Sequence, residues 1–476
     1  VDTYKTLSAC QLLEKIRRYA VGFQQHGVKP GSRVCAHIGN GVENVAAAFG
    51  VVFAGGTLVM AKPASVAREL VYIIEDSHCT FLLVDEQTAP NVAKFIIPTS
   101  VKAVFAVGSV PSFIDVLQFE ELSDASFKPH VPTDNEEEVV VVVYTSGSTG
   151  LPKGVELSHK AFCAAFHGFR YADRNDVVLA WNPITHVSGL AYDMNCVLIG
   201  AKTVIAEPWI SYEEFKDTLE TFQVSLLIVH CCRMQHVVNE ARKNKDSEFH
   251  VKKVIVGGSM ITKALGKGIR EIFNVESIAT CYGLTETFGV LSISPVGHLT
   301  FDDCGFPVAG SKVKVIDLTS GNSLGPHQKG EIMVHSQSVM KGYIGRPEAT
   351  AEALSDEGWL RTGDLGLYDT DGRIHIIDRL KEMIKCMDNA VTPAELEELL
   401  LTHEAVAEAA VVGVPSPKYG EAPAACVVVK DGFDKNLERL SMELKQLIAD
   451  QAAVFKQLYG GVFFMKSLPK SQTGKI

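Results

Sequence analysis

The chain has 476 residues, more than the roughly 100–200 residues of one typical domain, so we expect at least two domains. Its 56 acidic and 45 basic residues give a net charge of −11 at neutral pH, which argues against a nucleic-acid partner. Hydrophobic residues make up 46% of the chain, as in an ordinary globular protein, and no apolar stretch approaches the roughly 18 residues of a membrane-spanning helix.

The eleven cysteines are scattered along the chain without a CxxC spacing. This pattern predicts reduced thiols in an intracellular protein rather than a disulfide framework or a zinc site. No secretory signal is visible. Residues 471–476 have the composition of an interrupted motif, so we expect the sequence to be cut there. A C-terminal targeting signal, which would decide between a cytoplasmic and a peroxisomal location, would then lie beyond Ile476.

Helical and strand patterns alternate through the first 300 residues, which predicts βαβ units and parallel sheets. The first group comprises helices Leu12–Gln25, Val42–Phe53 and Ala67–Glu75, and strands Arg33–Ile38, Leu58–Met60 and Phe81–Val84. The second group comprises strands Val177–Trp181, Thr203–Ala206, Ser225–Val229, Lys253–Val256 and Glu276–Thr280, and helices Gly189–Ile199 and Glu213–Phe222. Two α/β subdomains are therefore expected.

A loop rich in glycine and hydroxyl groups, Tyr144–Val155, lies between these two groups and follows the apolar run Val139–Val143. Such a run is typical of a strand buried on both faces. The glycines allow backbone N–H groups to approach an anion, the hydroxyls donate to its oxygens, and Lys153 adds positive charge. The loop is not a Walker A motif, because Leu151 and Pro152 separate Gly150 from the lysine. Its composition predicts a site for the phosphates of a nucleotide.

The character of the chain changes at about Pro295. Short strands at Lys312–Ile316, Gly330–Val334 and Ile374–Ile377 predict a small antiparallel barrel or sheet. Beyond Arg379 we predict helices Pro393–Leu401 and Leu437–Gln451 with strands Val406–Val412 and Ala424–Val429. The expected fold is α/β. A large N-terminal domain, residues 1–378, contains two βαβ-type subdomains and a small β-barrel, and a small, mobile α+β C-terminal domain covers residues 379–476.

Seven polar motifs follow predicted strands or lie near the end of the chain, and α/β sheets bind ligands at the carboxyl ends of their strands. The motifs are Tyr144–Val155, Pro183–Gly189, Gly257–Ser259, Tyr282–Thr287, Gly358–Asp364, Asp378–Lys381 and Thr473–Lys475. In this order and spacing they resemble the adenylate-forming superfamily of acyl- and aryl-CoA synthetases, beetle luciferases and peptide-synthetase adenylation domains. The resemblance covers nearly the whole chain and is greatest to the branch of 4-coumarate–CoA ligases and luciferase-like acyl-CoA synthetases.

The resemblance implies a two-step reaction that uses ATP, Mg²⁺ and coenzyme A. A small-molecule carboxylic acid attacks the α-phosphate of ATP, giving an acyl-adenylate and pyrophosphate. A thiol, usually coenzyme A, then displaces AMP to form a thioester. Attack of one anion on another requires charge neutralisation and positioning more than covalent catalysis, and the glycine, hydroxyl and lysine content of the motifs suits that requirement.

The same resemblance implies a role for each motif. The residues expected on the β- and γ-phosphates are Thr145, Ser146, Gly147, Ser148, Thr149, Gly150 and Lys153. Those expected around the nucleoside are Gly257, Gly258, Ser259, Tyr282 and Gly283 for the adenine, with Asp364 for the ribose and Arg379 for the ribose or a phosphate. The expected catalytic residues are Thr285 at the α-phosphate, Glu286 holding Mg²⁺, Lys475 bridging the carboxylate and the α-phosphate, and His186 between the acyl pocket and the thiol channel.

The second step is expected to need rotation of the C-terminal domain about a hinge, with Lys381 absorbing the backbone change. The resemblance implies that Lys475 faces the site before rotation and that the segment beginning at Lys385 replaces it afterwards. One residue departs from the family pattern: Asp388 stands where relatives usually have glycine. Glycine adopts positive φ and admits a close ligand, whereas aspartate adds bulk and charge. The sequence therefore supports adenylation more strongly than thioester formation.

Taken singly, the candidate residues also have structural interpretations. The phosphate loop could be a flexible turn, and Asp364 could be an ordinary turn residue. Tyr282 and His186 could be side chains that happen to lie at strand ends, and Glu286 could be a carboxylate at a helix N-terminus. Asp378-Arg379 could be a surface ion pair, and Lys475 could be a solvated lysine. The agreement of seven motifs in order favours the functional interpretation.

The acid itself is constrained weakly. No buried charge that would select a polar acid is visible, so we expect an aromatic or a medium- to long-chain fatty acid. Ser188 stands where relatives often have an aromatic residue, and Phe288, Gly289 and Val290 are expected at the acyl pocket. Two other functions compete with a CoA ligase. One is an adenylation domain that loads a carrier protein, although no carrier segment is visible. The other is an adenylate-forming or acyl-binding paralogue with an impaired or absent thioester step, which Asp388 and the atypical His335-Ser336 motivate.

Overall fold

The computed structural model describes residues 5–93, 97–145, 152–168, 171–259, 261–299, 301–387, 389–433 and 436–470. The described residues form a mixed α/β structure with a large N-terminal domain and a small C-terminal domain, and the predicted fold class is confirmed. Within these ranges, no helix is both long enough and apolar enough to cross a bilayer.

The helices that these residues form include three whose predicted bounds agree with the structure, at Val42, Pro393 and Leu437. They are α1 (Ala9–Gln25), α2 (Val42–Phe53), α3 (Ala67–Asp76), α4 (Ala89–Val92), α5 (His159–Gly168), α6 (Met194–Ile199), α7 (Tyr212–Phe222), α8 (Cys231–Asn244), α9 (Lys263–Ile272), α10 (Pro347–Ala353), α11 (Pro393–Leu401) and α12 (Leu437–Gln451). A π-helix, Ser188–Asp193, leads directly into α6, and a short 3₁₀ turn spans Thr285–Thr287.

The strands of the N-terminal domain are β1 (Arg33–His37), β2 (Thr57–Met60), β3 (Phe81–Asp85), β4 (Ala103–Val107), β5 (Ile114–Asp115), β6 (Val139–Thr145), β7 (Lys153–Ser158), β8 (Val177–Ala180), β9 (Lys202–Ile205), β10 (Leu226–His230), β11 (Lys253–Gly257), β12 (Ser277–Leu284), β13 (Gly289–Ile293), β14 (Phe306–Pro307), β15 (Ser311–Ile316), β16 (Gly330–Ser336), β17 (Gly342–Tyr343), β18 (Leu360–Tyr368) and β19 (Ile374–Arg379). The C-terminal domain adds β20 (Ile384–Cys386), β21 (Asn389–Val391), β22 (Val406–Ser416), β23 (Gly420–Val429) and β24 (Gly461–Met465).

The first subdomain is built on an eight-stranded sheet in the order β17-β7-β6-β2-β1-β3-β4-β5. Strands β6, β2, β1, β3, β4 and β5 are parallel, whereas β7 returns antiparallel to β6. Five valines in β6 are buried or nearly so, which agrees with the prediction of a strand covered on both faces. The ends of the phosphate loop therefore belong to adjacent strands, the second and third of the eight-stranded sheet.

The second subdomain is built on a seven-stranded sheet in the order β14-β13-β12-β11-β10-β8-β9. Strands β9, β8, β10, β11 and β12 are parallel, so their carboxyl ends share one edge. Strand β12 runs four residues past its predicted end, to Leu284, because β13 pairs antiparallel with its last four residues, Cys281–Leu284. This edge carries three of the seven predicted motifs, Pro183–Gly189, Gly257–Ser259 and Tyr282–Thr287.

The predicted small β-barrel corresponds to a four-stranded antiparallel sheet in the order β15-β16-β18-β19. Its core residues, such as Val315 and Ile332, join the apolar core of the first subdomain. The C-terminal domain has a separate core, formed by α11, α12 and a five-stranded sheet.

Candidate active site

The two ends of the phosphate loop lie side by side. Thr145, the last residue of β6, pairs with Lys153, the first residue of β7. The predicted phosphate ligands Ser146, Gly147, Ser148, Thr149 and Gly150 lie outside the described residues. The structure thus places the two outer members of the predicted phosphate site, Thr145 and Lys153, next to each other at the sheet edge.

A hydrogen-bonded network holds both ends of this loop. Asp76 accepts the Tyr144 hydroxyl at 2.7 Å and pairs with Arg346, also at 2.7 Å. Arg346 donates to the Tyr72 hydroxyl at 2.8 Å, and that hydroxyl donates to the carbonyl of Pro152 at 2.8 Å. Sequence reasoning missed this network, because its members are up to 274 positions apart.

The Tyr72 hydroxyl gives a direct test of this network. In Tyr72→Phe, the Pro152 carbonyl and Arg346 each lose a partner, so we expect a loss of about 1 kcal/mol in stability. We also expect a severalfold higher KM for ATP, because the loop end is released, with the KM for the acid unchanged. Tyr368→Phe is the matched control, since its hydroxyl also donates to a carbonyl, that of Leu324, in the small antiparallel sheet. A higher KM for ATP in both variants would contradict the loop-specific role.

A second group of side chains surrounds Tyr343. Its hydroxyl donates to Glu286 Oε1 at 2.8 Å, and the Lys153 ammonium lies 4.8 Å from the centre of its ring. Burial and the neighbouring Glu286 carboxylate raise the pKa of the Tyr343 hydroxyl, so it remains a donor. The Glu286 carbonyl also accepts the N–H of Met340 at 2.7 Å. The predicted phosphate-binding lysine and the predicted metal carboxylate therefore flank one tyrosine.

Glu286 is suited to Mg²⁺, since that ion is commonly held by one or two carboxylates together with substrate phosphates. It follows Thr285 in the 3₁₀ turn Thr285–Thr287, so it also fits the structural alternative of an acidic residue in the first turn of a short helix. Tyr343 on β17, which pairs with β7, links Glu286 to Lys153.

The third group is centred on Asp364, whose side chain is 3% exposed. Its Oδ1 pairs with Arg379 Nε at 2.8 Å, and its Oδ2 accepts the Tyr282 hydroxyl at 2.5 Å. Strand pairing explains the first contact, because Asp364 on β18 lies opposite Arg379 on β19. Burial, reinforced by Asp364, raises the pKa of the Tyr282 hydroxyl. Asp364 is thus a buried strand residue rather than a turn residue.

Arg379 connects the second and third groups. Burial opposes its charge, but Asp364, Tyr282 and Glu286 outweigh that effect and raise the pKa of the guanidinium. Its ion pair is with Asp364, whereas Asp378 accepts only its backbone N–H, at 2.8 Å. The surface ion pair considered for Asp378-Arg379 is therefore wrong, and the cation belongs to the site.

The glycine loop Gly257–Ser259 lies at the end of β11, between its neighbours β10 and β12. A Cβ on Gly257 would lie 2.5 Å from the sulfur of Cys281. Gly258 has φ +87°, and a Cβ there would lie 2.3 Å from His230 Nδ1. Cys231 donates to the Ser259 carbonyl at 3.0 Å. Gly257 and Gly258 thus allow close packing here, because a side chain at either position would overlap Cys281 or His230.

His186 follows β8 and forms two contacts with Ser188. Its Nδ1 lies 2.8 Å from Ser188 Oγ and accepts the Ser188 N–H at 3.1 Å. Ser188 Oγ also lies 3.1 Å from Nε2 of His230, a residue that sequence reasoning did not single out. In the sequence, His230 is distinguished only by its position at the end of β10, and no motif around it indicates a site.

The residues expected at the acyl pocket occupy different environments. Phe288 is fully buried and stacks on Phe162 with ring centres 5.0 Å apart, so it belongs to the apolar core. A Cβ on Gly289 would lie 3.1 Å from the ring of Tyr192, a residue of the π-helix. Val290 is buried beside Tyr192 in a neighbouring cluster.

The proposed hinge lies between β19 and β20. Lys381 is exposed in the connecting turn, and Lys385 is exposed on β20, where its N–H donates to Glu421 at 2.7 Å. The Asp378 carboxylate accepts the N–H of Ala394 at 3.3 Å, at the N-terminus of α11. Asp388 and Lys475 lie outside the described residues.

Glu397 on α11 provides a test by pH. Burial raises the pKa of its carboxyl to about 7 from 4.5, with Asp378 and Glu382 adding to the rise and the Val411 N–H opposing it. A raised folded-state pKa gives stability that is present below pH 4.5 and lost as pH rises through 7. We therefore expect Glu397→Gln to gain on the order of 1–3 kcal/mol over wild type between pH 5 and pH 8, measured by urea unfolding. Exposed Glu398→Gln is the control, and an equal pH-dependent gain there would contradict the assignment.

Comparison with known proteins agrees with this geometry. The AMP-binding enzyme family matches residues 1–344, and the AMP-binding enzyme C-terminal domain matches residues 395–475. The chain belongs to this family, the adenylate-forming superfamily of ligases, as the sequence motifs predicted.

Two curated relatives illustrate the range of the family. Luciferin 4-monooxygenase of Nipponoluciola cruciata is 37% identical over 358 residues, covering 74% of this chain and 64% of its own length. 4-Coumarate–CoA ligase 1 of Petroselinum crispum is 30% identical over 485 residues, covering 99% of this chain and 87% of its own length. The relatives thus include both luciferases and CoA ligases.

Two solved structures share the fold. ATP-bound MatB from Rhodopseudomonas palustris has a TM-score of 0.87 at 24% identity, over 98% of this chain and 91% of its own. A benzoate CoA ligase from Burkholderia xenovorans LB400 has a TM-score of 0.88 at 22% identity, over 100% of this chain and 94% of its own. At these identities the likeness shows the fold alone.

Proposed function

We propose that the protein is an ATP-dependent acid–thiol ligase that activates a carboxylic acid as its acyl-adenylate, releases pyrophosphate and forms the acyl-CoA thioester. The observation that carries the proposal is that residues of separate motifs come together in two adjoining groups. Lys153 and Glu286 both contact Tyr343, and Asp364 pairs with Arg379, whose guanidinium pKa is raised by Asp364 and by Glu286. The CoA ligases among its relatives support the same reaction class.

The described side chains suit the first step. Lys153 and Arg379 supply positive charge where two anions must approach each other, which is the main barrier to this chemistry. Asp364 would offer its buried carboxylate oxygens to the ribose hydroxyls. The glycine loop and Tyr282 would form the two sides of the adenine site. Glu286 would hold Mg²⁺, which neutralises phosphate charge when bound.

The second step is proposed to follow rotation of the C-terminal domain, residues 379–476, against residues 1–378 about Lys381. Lys475 would act in adenylation, and the segment from Lys385 would line the path of coenzyme A afterwards. His186 is proposed to separate the acyl pocket from that path. The acid is proposed to be aromatic or a medium- to long-chain fatty acid, since Tyr192 and Val290 present apolar surfaces beside Gly289.

The experiment is pyrophosphate release with Mg-ATP, with and without coenzyme A, across aromatic and fatty acids. Release that coenzyme A stimulates and that Lys475→Ala abolishes would support the ligase. Lys470→Ala is the matched control, because Lys470 pairs with Glu408 in the C-terminal domain. Release that coenzyme A leaves unchanged would favour adenylation with an impaired thioester step, for which Asp388 is the sequence observation. No release with any acid would refute the proposal.

A further inference from the structure

A chain of three polar side chains crosses the second subdomain at the strand-end edge. Ser188 Oγ lies 2.8 Å from His186 Nδ1 and 3.1 Å from His230 Nε2, and the two histidine rings are 5.4 Å apart at 77°. Ser188 is 2% exposed and His230 is 7% exposed. The hydrogen bonds are therefore shielded from water, where each one constrains its partners strongly.

The direction of these hydrogen bonds follows from one contact. The backbone N–H of Ser188 points to His186 Nδ1 at 3.1 Å, and a backbone N–H can only donate. Nδ1 of His186 must then carry a lone pair, and the Ser188 hydroxyl that shares it must donate as well. The hydroxyl oxygen in turn accepts the proton on His230 Nε2. Neutral His186 therefore carries its proton on Nε2.

His230 also supports the glycine loop. It is the last residue of β10 and lies opposite Gly257 of β11 in the parallel register. Its Nδ1 edge is so close to Gly258 that a Cβ there would lie 2.3 Å away. One buried imidazole thus contacts the loop proposed for adenine and, through Ser188, the histidine proposed at the acyl pocket.

We propose that His230 is a positioning residue for the ligase reaction. Through Ser188 it holds the His186 ring in one orientation, in which the backbone N–H of residue 188 keeps the proton on Nε2, so that a donor of fixed direction faces the reacting acid. The inference rests on the proposed function, because His186 acts on the acid only if the protein activates one.

The kinetic test compares variants that break the chain at different points. His230→Phe keeps a ring without a donor, His230→Gln keeps an N–H donor, and Ser188→Ala removes the bridge. We expect His230→Phe and Ser188→Ala each to lower kcat/KM for the acid about tenfold, with His230→Gln within about threefold of wild type. Ser188→Ala should leave the KM for ATP within about twofold. Exposed His236→Gln, on the same helix as Cys231, is the control.

A double-mutant comparison distinguishes a positioning role of His230, which acts through His186, from a role in packing alone. In a His186→Ala background, His230→Phe should cause no further loss, since its effect passes through His186. A loss of the same size in both backgrounds, or equal losses in His230→Phe and His230→Gln, would overturn the inference.

A spectroscopic readout does not depend on turnover. In protein labelled with ¹⁵N-histidine and free of substrates, the His186 signals are identified by their loss in His186→Gln, and ¹H–¹⁵N correlations show which ring nitrogen carries the proton. We expect Nε2–H alone in wild type. In Ser188→Ala the ring is free to turn away from the backbone N–H of residue 188, so we expect a mixture of tautomers. An unchanged tautomer in both Ser188→Ala and His230→Phe would overturn the inference. If these variants change the His186 tautomer but the wild-type protein releases no pyrophosphate, the proposed function is refuted, whereas the link from His230 to His186 stands.

Discussion

Replacing Gly258 by alanine is expected to abolish ATP binding. Two costs combine at this position. The backbone has φ +87°, which costs a residue with a Cβ about 1–2 kcal/mol, and the new methyl group would lie 2.3 Å from His230 Nδ1. The strand-end imidazole or the loop must move, and either movement displaces the backbone proposed to contact adenine. The measurement is the rise in melting temperature caused by Mg-ATP, which we expect to disappear.

Gly310→Ala is the matched control for this substitution. Gly310 has φ +81°, and no atom lies within 4 Å of the Cβ that alanine would add. This variant therefore pays the backbone cost alone, and we expect about 1 kcal/mol of lost stability with wild-type ATP binding. Equal loss of ATP binding in both variants would show that the contact with His230 is not decisive.

Replacing Asp364 by asparagine is expected to lower kcat/KM for pyrophosphate release about 100-fold. The amide keeps the size of the side chain but removes the negative charge that faces Arg379 at 2.8 Å, and it offers one acceptor oxygen in place of two. Breaking a buried ion pair commonly costs about 3–5 kcal/mol in stability. We expect less here, because the Arg379 side chain is 45% exposed and water can solvate it.

Asp371→Asn controls for the loss of a carboxylate from the same hairpin. Asp371 is exposed in the turn between β18 and β19, and we expect its substitution to leave both activity and melting temperature near those of wild type. Activity in Asp364→Asn within about threefold of Asp371→Asn would remove Asp364 from the nucleotide site and leave it only a structural ion pair with Arg379.

The sequence predicted the architecture well where local patterns are strong. The apolar run of β6 and the alanine-rich α2 both lie where expected, because each pattern is decided by neighbours in the chain. The strand-end motifs were also found, since glycine and polar residues interrupt apolar runs there. Helix α8 was missed because its sequence begins with two cysteines and is mostly polar, and its preceding residue, His230, makes no side-chain cap.

The contacts between distant residues could not be predicted in this way. Arg346 and Asp76 meet across 270 positions, and Tyr282 reaches Asp364 across 82. Such pairs depend on how two sheets and an antiparallel hairpin are arranged, which periodicity does not encode. For the same reason the sequence singled out His186 and Ser188 but not His230, which the structure places within hydrogen-bond distance of Ser188.

The Asp378 carboxylate, which accepts the N–H of Ala394, lies on one side of the proposed hinge while the helix that it caps lies on the other. Turning the C-terminal domain about Lys381 would separate them. A carboxylate cap is worth about 0.5–2 kcal/mol, which corresponds to a roughly two- to thirtyfold bias toward the orientation described here. Each catalytic cycle would then break and remake one cap, so residue 378 would influence how often the enzyme turns over without touching either substrate.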